Sequence, residues 1–297
     1  KSREFFSWNI LIQLPKLYSA VRNEHKWLRK IIAEYKIDLV ISDNRYGLYN
    51  DKVPCIFITH QLQILTGNKL LNRLVQKINY AFIEKFVECW VPDIEKDAGV
   101  AGVLSHPIKL PNIQVTYIGM LSRFSKTAVQ KKYDLLILLS GPEPQRSILE
   151  AMLLQQVKNT TLQILVVRGL PGEEINIESP SGSVQILSHL PANDLNQVIQ
   201  ESENVISRAG YSTIMDLLVL EKKAILIPTP GQKEQEYLAE YLSEKKWFYS
   251  CAQENFNLSQ AIKLAVQPPI NSINNHFPLK ENIERLLSQI KVLNLQQ

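Results

Sequence analysis

The strongest constraint on this chain is an alternation of short apolar runs with amphipathic stretches, sustained over nearly its whole length. Runs of three to six apolar residues fit strands buried on both faces, and the stretches between them fit helices that cover a parallel sheet. In the first half, strands are predicted at Leu39–Ile41, Cys55–Ile58, Val87–Val91 and Val115–Ile118. A helix is predicted over Leu11–Tyr35, interrupted near its start by Pro15. Leu70, Leu71, Leu74, Val75, Ile78, Phe82 and Phe86 mark one face of a second helix. The second half repeats the pattern, with strands at Leu135–Leu139, Leu162–Val167, Val184–Leu187, Asn204–Ile206 and Ala224–Ile227. Helices are predicted near 144–157, 192–202, 212–221, 232–246, 258–266 and 279–293. The charged segment Gly119–Lys132 lacks an apolar period and reads as a linker. The expected class is α/β, as two Rossmann-like domains whose parallel sheets face each other across a cleft. Their bounds are 1–118 and 119–297, with the last helix able to pack back on the first domain. Open α/β sheets bind ligands beyond the carboxyl ends of their strands, so those ends are where chemistry is sought.

Composition removes several other classes. No apolar run approaches the ~20 residues that cross a bilayer. Lys and Arg number 33 against 29 Asp and Glu, a diffuse excess of +4 with no basic run interleaved with aromatics, so no nucleic-acid partner is expected. Cys55, Cys89 and Cys251 are odd in number and far apart. They form neither a disulfide framework nor a metal pattern, which favours a reducing, cytoplasmic setting. Asp93 and Glu95 are the nearest acidic pair and read as a solvated helix start, so no metal ligands are predicted.

The most informative segment runs from Val205 to Asp216. A strand ends in Ser207-Arg208-Ala209, Gly210 makes the turn, and a helix opens on Tyr211-Ser212-Thr213. Free N–H groups and the positive end of a helix dipole make such a place an anion site, and Asp216, one turn in, could accept from both ribose hydroxyls. An equally simple reading has Thr213-x-x-Asp216 as a capping box and Gly210 as a turn glycine. Downstream, the strand 224–227 runs into Pro228-Thr229-Pro230-Gly231 and then Gln232-Lys233-Glu234-Gln235-Glu236. By itself that stretch is a solvated first helical turn.

Taken together, these two elements resemble the C-terminal domain of the GT-B glycosyltransferases. They are most similar to the family 28 type, which includes the enzyme that adds N-acetylglucosamine to lipid-linked muramyl peptide. The resemblance covers most of residues 118–250 and, more loosely, 37–117. It implies that Asp216 grips the nucleotide ribose, that Ser212 and Thr213, with Arg208 and Gly210 before them, face the diphosphate, and that Gln235 and Glu236 read the sugar hydroxyls. The family commonly has Gln-Gln there, so Glu236 is a departure. It further implies that Leu190, in Ser188-His189-Leu190-Pro191, meets the uracil edge through its backbone. Arg123 would clamp the diphosphate, and Ser140 and Gly141 would form a second phosphate loop. Plain alternatives are a strand-to-helix turn at Leu190, a surface arginine at Arg123, and a helix-surface charge at Arg146.

In the first domain, Asp43 and His60 follow strands and are the candidates for a catalytic base, with Gln61 on the acceptor side. A loop hydrogen-bonding role is the alternative for each. The Gly-x-Gly-His-type loop that the family carries after its first strand is not seen from Lys1 onward, so the chain either starts after that element or lacks it. The implied reaction transfers an N-acetylhexosamine or related sugar from a UDP-sugar to an acceptor hydroxyl with inversion. It needs no metal or other cofactor, since the UDP-sugar is itself a substrate. A hydrolase or epimerase of the same fold, or a non-catalytic nucleotide-sugar binder, are the alternatives. The acceptor would be a glycan or a lipid-linked group. The helix near 69–86, with Lys69, Arg73, Lys77 and Lys85, either lies peripherally on the inner membrane face or buries its apolar side in the domain core.

Overall fold

The computed structural model describes residues 2–172, 179–268, 280, 283–285 and 288; the side chains described begin at Pro15 and leave out Lys69. The chain divides into two compact units, one of residues 1–120 and 275–297, the other of 121–274.

In the first unit, α1 (Ser2–Tyr35) runs through Pro15 without the interruption expected there. Strands β1 (Val40–Asp43), β2 (Cys55–Ile58), β3 (Glu88–Val91) and β4 (Gln114–Tyr117) form a parallel sheet in chain order, and α2 (Lys69–Ile83) connects β2 to β3. Asn68 starts α2 by accepting from the backbone N–H of Leu70 at 2.9 Å and of Leu71 at 3.3 Å, an N-cap that fixes where the helix begins. Cys55, Phe57, Leu62, Ile83, Phe86, Cys89 and Val91 form the core. Glu88, next to Cys89 and so on the other face of β3, is also buried and accepts from Thr116 and Gln114 of β4 and from Arg285 at 2.8 Å. The rest of the helix predicted near 279–293 lies largely outside the described residues.

The second unit carries β5 (Tyr133–Leu138), α3 (Gln145–Val157), β6 (Ile164–Val167), β7 (Val184–Leu187), α4 (Ala192–Glu201), β8 (Ser202–Ser207), α5 (Tyr211–Val219), β9 (Lys223–Leu226), α6 (Lys233–Glu244), β10 (Tyr249–Ser250) and α7 (Leu258–Leu264). All six strands are parallel, in the order β10-β9-β8-β5-β6-β7. Ile164-Leu165-Val166-Val167 is buried at every position, as an apolar run covered on both faces must be. The segment 121–132 is no free linker. Phe124 is buried, and Thr127 donates its N–H to Gln200 at 2.6 Å, because the residues between its charges pack along α4 and β8.

Candidate functional site

The order of the second sheet contains one reversal. From β5 the chain moves outward to β6, and from β8 it moves the other way to β9, although β5 and β8 are neighbours. The loops that leave the carboxyl ends of these strands, Leu139–Pro144 and Arg208–Gly210, therefore diverge and leave a crevice. Such a switch point is where doubly wound sheets bind their ligands.

Gly210 precedes α5 and gives it no side-chain cap, and the N–H groups of Ser212 and Thr213 lie on its first turn, a place suited to an anion. The expected capping box does not form. Gly210 has a φ of −77°, which any residue adopts, and an added Cβ would meet only Thr213 Oγ1 at 3.9 Å. Its lack of a side chain keeps space open rather than permitting a turn. Ser212 is exposed and Thr213 half-buried, both on that first turn. Across the crevice, Ser140 and Gly141 are exposed at the end of β5, and Gly141 at φ +102° occupies a conformation that strains any other residue.

Asp216 is half-buried and occupied. The Ser122 hydroxyl donates to its Oδ1 at 2.5 Å, and the Arg123 N–H and guanidinium add to the same carboxylate. Burial pushes this carboxyl up, against the pull of those partners. No spacing in the sequence singles out Ser122. Arg123 itself is exposed, its guanidinium 4.9 Å from the Phe124 ring centre. Leu190 is half-buried in the turn from β7 to α4.

Two arginines depart from expectation. Arg208 does not present its guanidinium to the crevice. At 1% exposure it turns inward, donating to the carbonyls of Ile227, Pro228 and Gln145, the last at 2.7 Å, and burial lowers it to about 10. It ties the loops after β5 and β9 to the end of β8 and is a positioning residue. Arg146 is not a surface charge. It is buried between Glu143 at 2.6 Å and Glu150 at 3.0 Å, and Glu150 also takes Arg168 at 2.5 Å. This buried group supports the start of α3 beneath the Ser140-Gly141 loop.

Gln235 and Glu236 both fold back on the loop before α6. Gln235 Oε1 accepts the Thr229 N–H at 2.9 Å, and Glu236 accepts the Gly231 N–H at 2.8 Å and pairs with Lys233 at 2.5 Å. They hold that loop in shape at the carboxyl end of β9, next to β8.

In the first unit, Asp43 is exposed at the end of β1, and His60 and Gln61 are half-buried after β2. The Gln61 N–H donates to Thr59 Oγ1 at 3.0 Å. Asp93 is not a solvated helix start. It is fully buried and accepts from the N–H groups of Ile94, Val100 and Ala101 and from Ser105 Oγ at 2.5 Å. Burial pushes its carboxyl up against these donors. Ser105 in turn meets His106 Nδ1 at 2.8 Å, and the His106 ring stacks on Tyr117 at 4.6 Å. The network closes the loop beyond β3, and no spacing in the sequence signals it. Among the described residues, no cluster of three or more His, Cys, Asp or Glu is placed to hold a metal ion.

Comparison with known proteins agrees with this architecture. Residues 136–288 match the model of the glycosyltransferase family 28 C-terminal domain. A relative from Clostridium tetani, named UDP-N-acetylglucosamine–N-acetylmuramyl-(pentapeptide) pyrophosphoryl-undecaprenol N-acetylglucosamine transferase, is 27% identical over 80% of this chain and 65% of its own. A protein of the same name from Alkaliphilus oremlandii is 25% identical over 73% of this chain and 61% of its own. The chain thus spans less than two thirds of these relatives. The crystal structure of the glycosyltransferase SnogD from Streptomyces nogalater superposes with a TM-score of 0.59 at 11% identity, over 88% of this chain and 74% of that one, a likeness of fold.

Proposed function

The chain belongs to glycosyltransferase family 28 through the domain at residues 136–288, and on that premise we propose that it moves a sugar from a UDP-sugar to an acceptor hydroxyl with inversion at the anomeric carbon. The observation that carries this reading is the crevice at the β5/β8 reversal, floored by a helix start that no side chain caps. The donor diphosphate lies against the N–H groups of Ser212 and Thr213 and against the Ser140-Gly141 loop, with Arg123 closing over it. Asp216 takes the ribose hydroxyls through the oxygen that Ser122 leaves free, and the Leu190 backbone meets the base. Gln235 and Glu236 shape the loop against which the sugar rests. As the glycosidic bond breaks, charge grows on the departing diphosphate. Fixed donors aimed at such charge contribute about 3–4 kcal/mol each to the barrier. The helix dipole takes the part a cation would play, so turnover needs no metal. An N-acetylhexosamine donor is the proposal for the sugar, and Asp43 or His60 for the base that deprotonates the acceptor.

The acceptor is proposed to be lipid-linked, with the first unit resting on the inner face of a membrane. Leu70, Leu74, Ile108 and Leu110 are exposed, and Ile108 and Leu110 line a groove of about 700 Å³ between α2 and the 107–112 loop together with Arg73, Lys77, Lys109 and one acid, Glu84. Apolar side chains ringed by cations suit an anionic lipid surface. No helix among the described residues is long and apolar enough to cross a membrane.

The test is incubation with labelled UDP-N-acetylglucosamine, lipid-linked muramyl peptide and excess chelator. Label carried into the lipid fraction supports the proposal. Free sugar released without acceptor points to a hydrolase, and failure to bind UDP by calorimetry removes the nucleotide reading altogether.

A further inference from the structure

At the opposite edge of the second sheet, away from the strand carboxyl ends, lies a lysine that the transfer chemistry does not use. Lys222 immediately precedes β9, is 5% exposed, and donates through Nζ to the carbonyl of Ser202 at the start of β8. Lys131 Nζ donates to that same carbonyl at 2.7 Å and to the Gln200 carbonyl at 2.9 Å. Two amines thus converge on one oxygen. The nearby carboxylates are engaged elsewhere, Glu221 with Lys126 and Glu203 with Lys223 at 3.3 Å. A cavity of about 350 Å³ opens beside the pair, lined by all of these side chains and by Gln267.

Two ammonium groups on one carbonyl repel, and the buried one yields its proton more readily. Burial, with Lys131 and Lys223 adding to it and Glu203 opposing, lowers Lys222 to about 7. Near neutral pH a substantial fraction of this side chain is therefore a free amine, with a lone pair, next to a fixed cation and open space. An uncharged lysine is a nucleophile.

We propose that Lys222 is a reversible carbon dioxide site, forming an N-carboxylate on its side chain. The Nζ lone pair bonds to the carbon of CO2, one C–O π pair moves onto oxygen, and nitrogen releases one proton to water, so that amine plus CO2 gives carbamate plus H⁺. The product keeps one N–H for the Ser202 carbonyl. Its new carboxylate faces Lys131, so that a like-charge pair becomes an ion pair. The adduct alters the charge of the turn joining α5 to β9, and it does not depend on which reaction the opposite edge carries out.

The experiment is carbon NMR of the whole chain at pH 7.5 with ¹³C-labelled bicarbonate in equilibrium with CO2. A carbamate resonance that disappears in Lys222→Arg, and that needs several-fold more CO2 to saturate in Lys131→Met, is expected. Should Lys222→Arg fail to fold, trapping the wild-type adduct with an alkylating oxonium salt and mapping the peptides places the added carboxyl on Lys222. An adduct found only at the chain's amino terminus, or none at saturating CO2, overturns the proposal.

Discussion

The Ser122 hydroxyl and the Asp216 carboxylate meet at 2.5 Å, joining the start of the second unit to the helix that opens the crevice. This carboxylate holds the 121–124 segment through Ser122 and the Arg123 N–H, and in the proposed function it also takes the ribose. Asp216→Ala is expected to weaken UDP binding by about 1.5–3 kcal/mol, the cost of losing hydrogen bonds to a charged acceptor. Ser122→Ala removes only the orienting donor and should cost less. Isothermal calorimetry on the three proteins checks both, and equal affinities would take Asp216 out of the site.

The pH dependence of that binding follows from burial. Asp216 is raised above the ordinary aspartate range, so it gains its proton, and loses its hold on a ribose, at a pH above the usual value of about 3.9. UDP affinity should fall on acidification through that window in the wild type and fall less in Asp216→Ala. Parallel pH profiles for the two proteins would contradict this.

Glu150 is the one carboxylate buried between Arg146 and Arg168. Glu150→Ala leaves two buried guanidinium groups short of their counter-charge and is expected to cost about 3–5 kcal/mol in stability. Urea denaturation measures it, and the loss should exceed that of an exposed substitution such as Glu240→Ala several-fold.

Lys222 makes the stability itself pH-dependent. Its amine is at about 7 in the folded chain against an ordinary value of 10.5. The unfolded chain therefore binds the proton first as pH falls. Stability is complete above the unfolded value and declines as pH drops from about 10.5 toward 7. Lys222→Met removes this contribution, so its advantage over the wild type should be larger at pH 7 than at pH 10. Denaturant midpoints at the two pH values decide it.

For the first unit, Arg73→Glu, Lys77→Glu and Lys109→Glu combined should sharply reduce sedimentation with anionic vesicles and leave UDP affinity unchanged. Equal vesicle binding by the variant and the wild type would remove the membrane-facing role.

What can be read directly from the sequence divides along a physical line. Cys55–Ile58 is predicted at its observed bounds because a strand covered on both faces needs an unbroken apolar run, and Val184–Leu187 is predicted at its bounds too, although Gln185 within it is exposed. β10, only Tyr249–Ser250, escapes prediction because two residues at a sheet edge make no run. Charged groups are the least legible. Asp93 looks solvated because its neighbours are polar, whereas its burial depends on N–H groups seven and eight residues onward. Arg146 reads as a surface charge at the start of a helix, and it is the family resemblance that implies a diphosphate contact for Arg208. Glu150 stands four residues after Arg146 on the same helix, a spacing visible in the sequence, but the burial of the pair and its second arginine, Arg168, come from packing between elements, as do the carbonyls of Ile227 and Gln145 that take Arg208. Helix periodicity places Ser212, Thr213 and Asp216 on the opening turns of α5, but it holds no sign of Ser122.

The reversal between β5 and β8 has an evolutionary corollary. A pocket walled by the path of the main chain is recorded in the route of the polypeptide, not in its letters. Very different residues can therefore take the same path, as the fold shared at 11% identity with SnogD illustrates. Agreement in shape among such proteins can outrun agreement in their residues.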